Sequence, residues 1–140
     1  MSGNKQKVVV VGNGMVSVRF CEQLMQYDEH KKFHITIFGE EARPAYDRVQ
    51  LTSFFEKESA DELLIERFDW YIANGIDLHL GDRVVGIDRE NKTVTSQNGK
   101  RCSYDPLILA PGSSPFVPPI KGTDLEGVFV FRTIEDLEAI

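Results

Sequence analysis

Cysteine is scarce in this chain: Cys21 and Cys102 are the only two among 140 residues, and they form no C-x-x-C pair. That excludes a zinc ribbon and a dithiol redox motif, and it leaves two reduced, packed thiols as the reading. The three histidines, His30, His34 and His79, stand apart from one another and from both cysteines, so no metal site is assigned. A run of ~20 apolar residues, which a membrane-spanning helix requires, is missing. The polar stretch Met1 to Lys7 lacks the apolar segment of a secretory signal. A soluble, cytoplasmic protein without a membrane partner is the expectation. Positive charge is also in deficit, with 16 Lys and Arg against 22 Asp and Glu, a net charge of −6. That balance argues against a nucleic-acid surface, and an anionic ligand would have to be held by local groups. With 41% hydrophobic and 27% charged residues, a chain of this length buries one ordinary core.

What is present is concentrated in Val8-Val9-Val10-Val11-Gly12-Asn13-Gly14-Met15-Val16-Ser17. Four consecutive β-branched residues without alternation read as a strand buried on both faces. Beyond the glycines the spacing becomes helical, with Val16, Phe20 and Leu24 as the expected inner face. A strand, a glycine turn and a helix in that order set backbone N–H groups and the positive end of the helix dipole where a pyrophosphate can bind. The third glycine of a G-x-G-x-x-G fingerprint is Ser17 here, small enough for the close packing of helix on strand. His34-Ile35-Thr36-Ile37-Phe38 is a second strand. It runs into Gly39-Glu40-Glu41, about 20-odd residues past the glycines, where a carboxylate can hydrogen-bond ribose hydroxyls. Glu40, nearer the strand end, is the residue chosen. Arg48 follows closely, and its guanidinium fork suits a phosphate.

Residues 60–74 read as a helix or a broken helix, with Leu63, Leu64, Phe68, Tyr71 and Ile72 inward, Trp70 in the core and Gly75 as the stop. Ile76, Leu78 and Leu80 alternate with polar residues. Further short strands around Val84-Val85-Gly86-Ile87 and Thr93-Val94-Thr95, with a turn at Asn98-Gly99, complete an expected antiparallel meander inserted into the parallel sheet. The sheet resumes at Tyr104 to Ala110 and ends in Pro111-Gly112, beside the carboxyl edge where such folds bind ligands. Val128-Phe129-Val130-Phe131 reads as one more strand, and Thr133 to Asp136 as a helix cap. The last helix barely starts before residue 140, which suggests a segment of a longer polypeptide.

The glycine motif, Phe38-Gly39-Glu40-Glu41, Ala45-Tyr46-Asp47-Arg48, Tyr104 through Pro115 and Phe131-Arg132-Thr133-Ile134-Glu135-Asp136, taken together and in this order, resemble the pyridine-nucleotide-dependent flavoprotein reductases. Within them, Tyr46 through Ser53 and Pro118-Pro119-Ile120-Lys121-Gly122 look most like the large subunit of the assimilatory NAD(P)H-dependent nitrite reductases. The resemblance implies a Rossmann-like, three-layer α/β FAD-binding domain over residues 1–140, incomplete here, with a mainly parallel sheet and an inserted antiparallel meander. It also implies FAD as cofactor. NAD(P)H, an iron–sulfur cluster and sirohaem would be used only in the full-length protein, whose other domains, and a small subunit, would be the partners. Carried over by motif, Gly12, Asn13, Gly14 and Met15 face the FAD pyrophosphate, Glu40 the adenosine ribose and Arg48 the phosphate or flavin side. Val84 meets adenine through its backbone, and Gly112 approaches from the last strand. No catalytic residue is implied.

Two departures stand out. Ser53 occupies a place where related ferredoxin and rubredoxin reductases carry a lysine, and Ala110-Pro111-Gly112 replaces alanine-threonine-glycine, which removes a hydroxyl and a backbone donor. Two other readings remain open on sequence: the FAD module of a ferredoxin or rubredoxin reductase or NADH oxidase, and a nucleotide-binding module with no redox role.

Overall fold

The computed structural model describes residues 3–140. The strands and α-helices follow in the order β1 (Gln6–Val11), α1 (Met15–Tyr27), β2 (Phe33–Phe38), α2 (Phe68–Ala73), β3 (Asp77–His79), β4 (Val84–Asp88), β5 (Thr93–Ser96), β6 (Arg101–Ser103), β7 (Leu107–Leu109) and α3 (Ile134–Ala139). Short 3₁₀ segments occupy 48–56 and 60–63.

The valine run lies where its composition requires. β1 is flanked on both sides in a parallel sheet of order β3-β2-β1-β7, with Gln6 opposite Phe33 and Val11 opposite Phe38 on one side, and Val9 to Val11 opposite Leu107 to Leu109 on the other. Its two faces enter two different cores. Val8 and Val10 pack with Ile35, Ile37, Val18, Cys21 and Tyr71 under the helices. Val9 packs with Phe38 and Val94 under a second, antiparallel sheet of order β4-β5-β6. Helices, parallel sheet and meander thus form the three expected layers, and continuous hydrophobicity in β1 is the mark of a strand covered on both faces.

Four local expectations are corrected. The inner face of α1 is Ser17, Val18 and Cys21, not one that includes Val16, which is 70% exposed; Phe20 and Leu24 still pack against this core. Helix rotation of roughly 100° per residue sets this choice, because Ser17 must lie against β1, where its Oγ donates to the Gly12 carbonyl at 2.6 Å. Second, β3 is not part of the meander but pairs in parallel with β2, Thr36 to Phe38 opposite Asp77 to His79. α2, though short, is the crossover that returns the chain to the same direction. Third, the 60–74 segment breaks where Leu64 bridges Tyr46 and the Ile65 amide donates to the Ala45 carbonyl. Phe68 and Ile72 are consequently exposed, whereas Leu63 and Tyr71 are buried and Trp70 packs at the edge of the core. Fourth, Val128–Phe131 forms no strand. Its β-branched and aromatic residues supply the pattern of a strand, but among the described residues no ladder runs beside it.

The cap at Thr133 forms as read. Its hydroxyl accepts from the Asp136 amide at 3.1 Å, and the Asp136 carboxylate accepts from the Thr133 amide at 2.8 Å. This sets Ile134 and Leu137 into a satellite core with Tyr46, Leu51 and Leu63. Thr133→Ala is expected to cost about 1 kcal/mol, read as a lower urea midpoint. An unchanged midpoint would show that packing alone holds α3.

Candidate functional site

The loops that leave the carboxyl ends of β1, β2 and β7 enclose a groove of about 500 Å³. Its walls are Gly12 to Gly14 from the first, Glu40 to Arg43 from the second and Ala110 to Pro115 from the third, with Arg48, Arg132, Thr133 and Glu135 closing the far side. In open parallel sheets this crevice is where ligands bind.

The two glycines of the first loop have different reasons for being there. Gly12 holds φ at +105°, and a Cβ on it would lie 2.0 Å from the Ala110 carbonyl oxygen. Its amide donates to the Phe38 carbonyl at 2.8 Å, so the turn is pinned between β2 and β7. Gly14, the residue before α1, has an ordinary extended backbone, and a Cβ on it would meet nothing within 4 Å. Above it the N-terminus of the 13-residue α1 carries no side-chain cap and no acidic residue in its first turn. The orphan amides and the dipole of that terminus therefore face open space, the environment a pyrophosphate fits. Between the glycines, Asn13 Nδ2 is shielded from solvent and has no hydrogen-bond partner among the described residues.

The adjacent carboxylates divide. Glu41 is consumed internally: its Oε2 accepts from the Tyr46 hydroxyl at 2.6 Å and its Oε1 from Arg48. The Glu40 side chain is 71% exposed, and among the described ion pairs it meets only Arg83, at 4.0 Å, so it remains available to a ligand in the groove. Arg48 reaches the groove wall, but its guanidinium is largely engaged. One nitrogen donates to the Tyr46 hydroxyl at 2.7 Å and to the Arg132 carbonyl at 2.9 Å, and another pairs with Glu41. Burial, followed by the hydrogen bond to Glu41, pushes the Tyr46 phenol well above its ordinary range. Tyr46 thus stays neutral, donating to Glu41 and accepting from the Ile134 amide at 3.3 Å, which ties this cluster to the start of α3.

Gly112 lines the groove with φ at +76°. Met15 opens α1 but does not line the groove. Val84 packs against the layer of Val9 and Phe38 and is likewise absent from the groove wall, although its neighbour Arg83 approaches Glu40. One cation was missed by reading the sequence. Arg132 lines the groove and touches the Ser113 hydroxyl at 3.1 Å, with no carboxylate partner among the described ion pairs. Arg43, by contrast, is paired with Glu135 and Glu138. The signal was the arginine directly before the Thr133 cap, where a helix N-terminus and the end of β7 converge. Among the described residues no three His, Cys, Asp or Glu side chains converge on a point that could hold a metal, and no helix is long and apolar enough to cross a membrane.

Comparison with known proteins agrees with this geometry. The family model for pyridine nucleotide-disulphide oxidoreductases matches residues 6–140. The NADH nitrite reductase large subunit of Escherichia coli K12 is 46% identical over 137 residues, which is 98% of this chain and 16% of that protein. The assimilatory nitrate reductase electron transfer subunit of Bacillus subtilis 168 is 42% identical over 97% of this chain and 18% of its own length. This chain therefore spans less than a fifth of either relative. Among solved structures, NADH:rubredoxin oxidoreductase from Clostridium acetobutylicum superposes with a TM-score of 0.85 at 26% identity, covering 97% of this chain and 35% of that one. A match over nearly every residue, on a strand–glycine–helix cradle with an open N-terminus, has one consequence: the chain belongs to the pyridine nucleotide-disulphide oxidoreductase family, whose fold serves flavin-dependent oxidoreductases.

Proposed function

We propose that residues 1–140 are the first FAD-binding segment of an NAD(P)H-dependent nitrite reductase large subunit. The observation that carries the cofactor half of this reading is the uncapped N-terminus of α1 opening over Gly14. The 46% identity to a nitrite reductase carries the other half, against 30% to an NADH oxidase of Methanocaldococcus jannaschii. When bound, FAD supplies acceptance of a hydride and release of electrons one at a time. Around it the chain's own residues bind and orient. The first amides of α1 and the glycine loop hold the pyrophosphate, Glu40 accepts from ribose hydroxyls, and Arg132 supplies the positive charge that the engaged Arg48 cannot fully offer. Arg48 keeps a positioning role, since it fixes the Arg132 carbonyl. Binding of NAD(P)H, the iron–sulfur cluster, sirohaem and the conversion of nitrite to ammonia are assigned to further domains of the polypeptide and to a small subunit.

The test has two parts. The purified full-length polypeptide is expected to show a flavin spectrum and nitrite-dependent oxidation of NAD(P)H; a colourless protein would remove the cofactor reading. Glu40→Ala is expected to weaken FAD by roughly 10- to 100-fold, since a hydrogen bond to a charged group is worth ~1.5–3 kcal/mol. Because the side chain is exposed, the urea midpoint of the apoprotein should not move. Unchanged affinity in a flavin-quenching titration would reassign the ribose contact.

A further inference from the structure

Tyr71 is fully buried on α2, in the core beneath β1 and β2, yet its hydroxyl is not idle. It donates to Asn13 Oδ1 at 3.5 Å. Asn13 stands between the two glycines of the first groove loop. Its side chain also lies against the start of the second loop: a Cβ built on Gly39 would fall 2.9 Å from Asn13 Cβ, with Nδ2 and Cγ at 3.7 and 3.8 Å. One phenol oxygen therefore meets the loop after β1 directly and the loop after β2 through Asn13. No other core hydroxyl among the described residues bridges these segments.

A core that needed only volume here would be served by phenylalanine, because a buried hydroxyl has to find partners. The partner it finds is a side chain of a groove-forming loop. The phenol's proton goes to Asn13 Oδ1, and this fixes which way the Asn13 amide faces. Nδ2 is then held against Gly39 with its hydrogens free, at the boundary between the phosphate loop and the ribose loop.

We infer that Tyr71 is a positioning residue for FAD, acting through Asn13 to hold the loops after β1 and β2 in register across the groove. The inference rests on the FAD reading above. Tyr71 touches no ligand itself. Without the hydroxyl, Asn13 can rotate, and the loop that presents the pyrophosphate amides loses its reference to the loop that presents Glu40.

The experiment is a double-mutant cycle in the full-length flavin-free polypeptide, with FAD affinity read by quenching of flavin fluorescence and apoprotein stability read by urea. Tyr71→Phe and Asn13→Ala are each expected to weaken FAD by roughly 5- to 10-fold, and the double variant by no more than the weaker-binding single, as coupled residues behave. Ile76→Val, a core change beside Tyr71 that leaves the hydroxyl in place, is the control and should lower the urea midpoint without altering affinity. Wild-type affinity in Tyr71→Phe, additive losses in the double variant, or an equal loss in Ile76→Val would each overturn the inference while leaving the FAD reading in place. Absence of FAD binding by the unsubstituted polypeptide would overturn that reading, and the inference with it.

Discussion

Gly14→Val is expected to abolish retention of flavin while the protein stays folded. Gly14 has φ −120° and ψ −166°, extended values that a β-branched residue adopts without strain, and a Cβ there meets no atom within 4 Å. The apoprotein should lose only the difference between glycine and valine before a helix, about 1 kcal/mol, out of the 5–15 kcal/mol typical of a domain. The space the new side chain fills is the space in front of the α1 amides. A pyrophosphate displaced from there forfeits charge-assisted hydrogen bonds worth ~1.5–3 kcal/mol each. Losing two of them amounts to a fall in affinity of roughly 100-fold or more. Visible flavin absorbance after gel filtration, beside a urea curve for the apoprotein, separates the two effects. Stoichiometric flavin on the variant would place the cradle elsewhere, and an unfolded variant would show that Gly14 serves the protein and not the ligand. Gly14→Ala should fall between valine and wild type.

That experiment also marks how far the sequence could be read. The strand–glycine–helix order and the two-sided burial of β1 were legible because each follows from residues close together in the chain. The Thr133 cap was legible for the same reason. Reading failed where a choice between equivalent local patterns is made by a distant partner. Val16 and Ser17 both fit a helical face, and only the approach of Ser17 to the Gly12 carbonyl decides between them. Ile76 to Leu80 alternates like any edge strand, and only the pairing with β2 makes it parallel. Arg48 and Arg132 are both arginines near the cradle, and what distinguishes them is that Glu41 and Tyr46 occupy the first while a single hydroxyl touches the second. Val128–Phe131 carries a strand's pattern without a neighbour. Pairing and charge occupancy lie in the fold, beyond any window of the sequence.

Gly12→Ala, two residues away, is expected to fail in the opposite manner: the fold itself is strongly destabilised whether or not flavin is present. The backbone at Gly12 sits at φ +105°, outside the regions open to residues with a Cβ, a conformation that costs ~1–3 kcal/mol when forced. The added methyl would also lie 2.0 Å from the Ala110 oxygen, 2.6 Å from the Ala110 carbon and 3.0 Å from Pro111 Cα. These are backbone atoms with little freedom to yield. Ala110 precedes a proline, which restricts its rotation, and its amide donates to the Val11 carbonyl at 2.8 Å, part of what holds β7 to β1. The Gly12 amide is itself tied to Phe38 at 2.8 Å. Relief therefore requires β7 to leave the sheet or the turn to leave β2, and either breaks a backbone hydrogen bond worth ~0.5–1.5 kcal/mol net and opens the layer around Val9. A total of about 2–5 kcal/mol, the opened layer included, falls at the upper end of single substitutions. Circular dichroism of Gly12→Ala without flavin should show a largely unfolded chain, or a urea midpoint shifted far below wild type. A midpoint near wild type would mean that the end of β7 can move aside, and that the close contact at Ala110 is not what holds the three groove loops together.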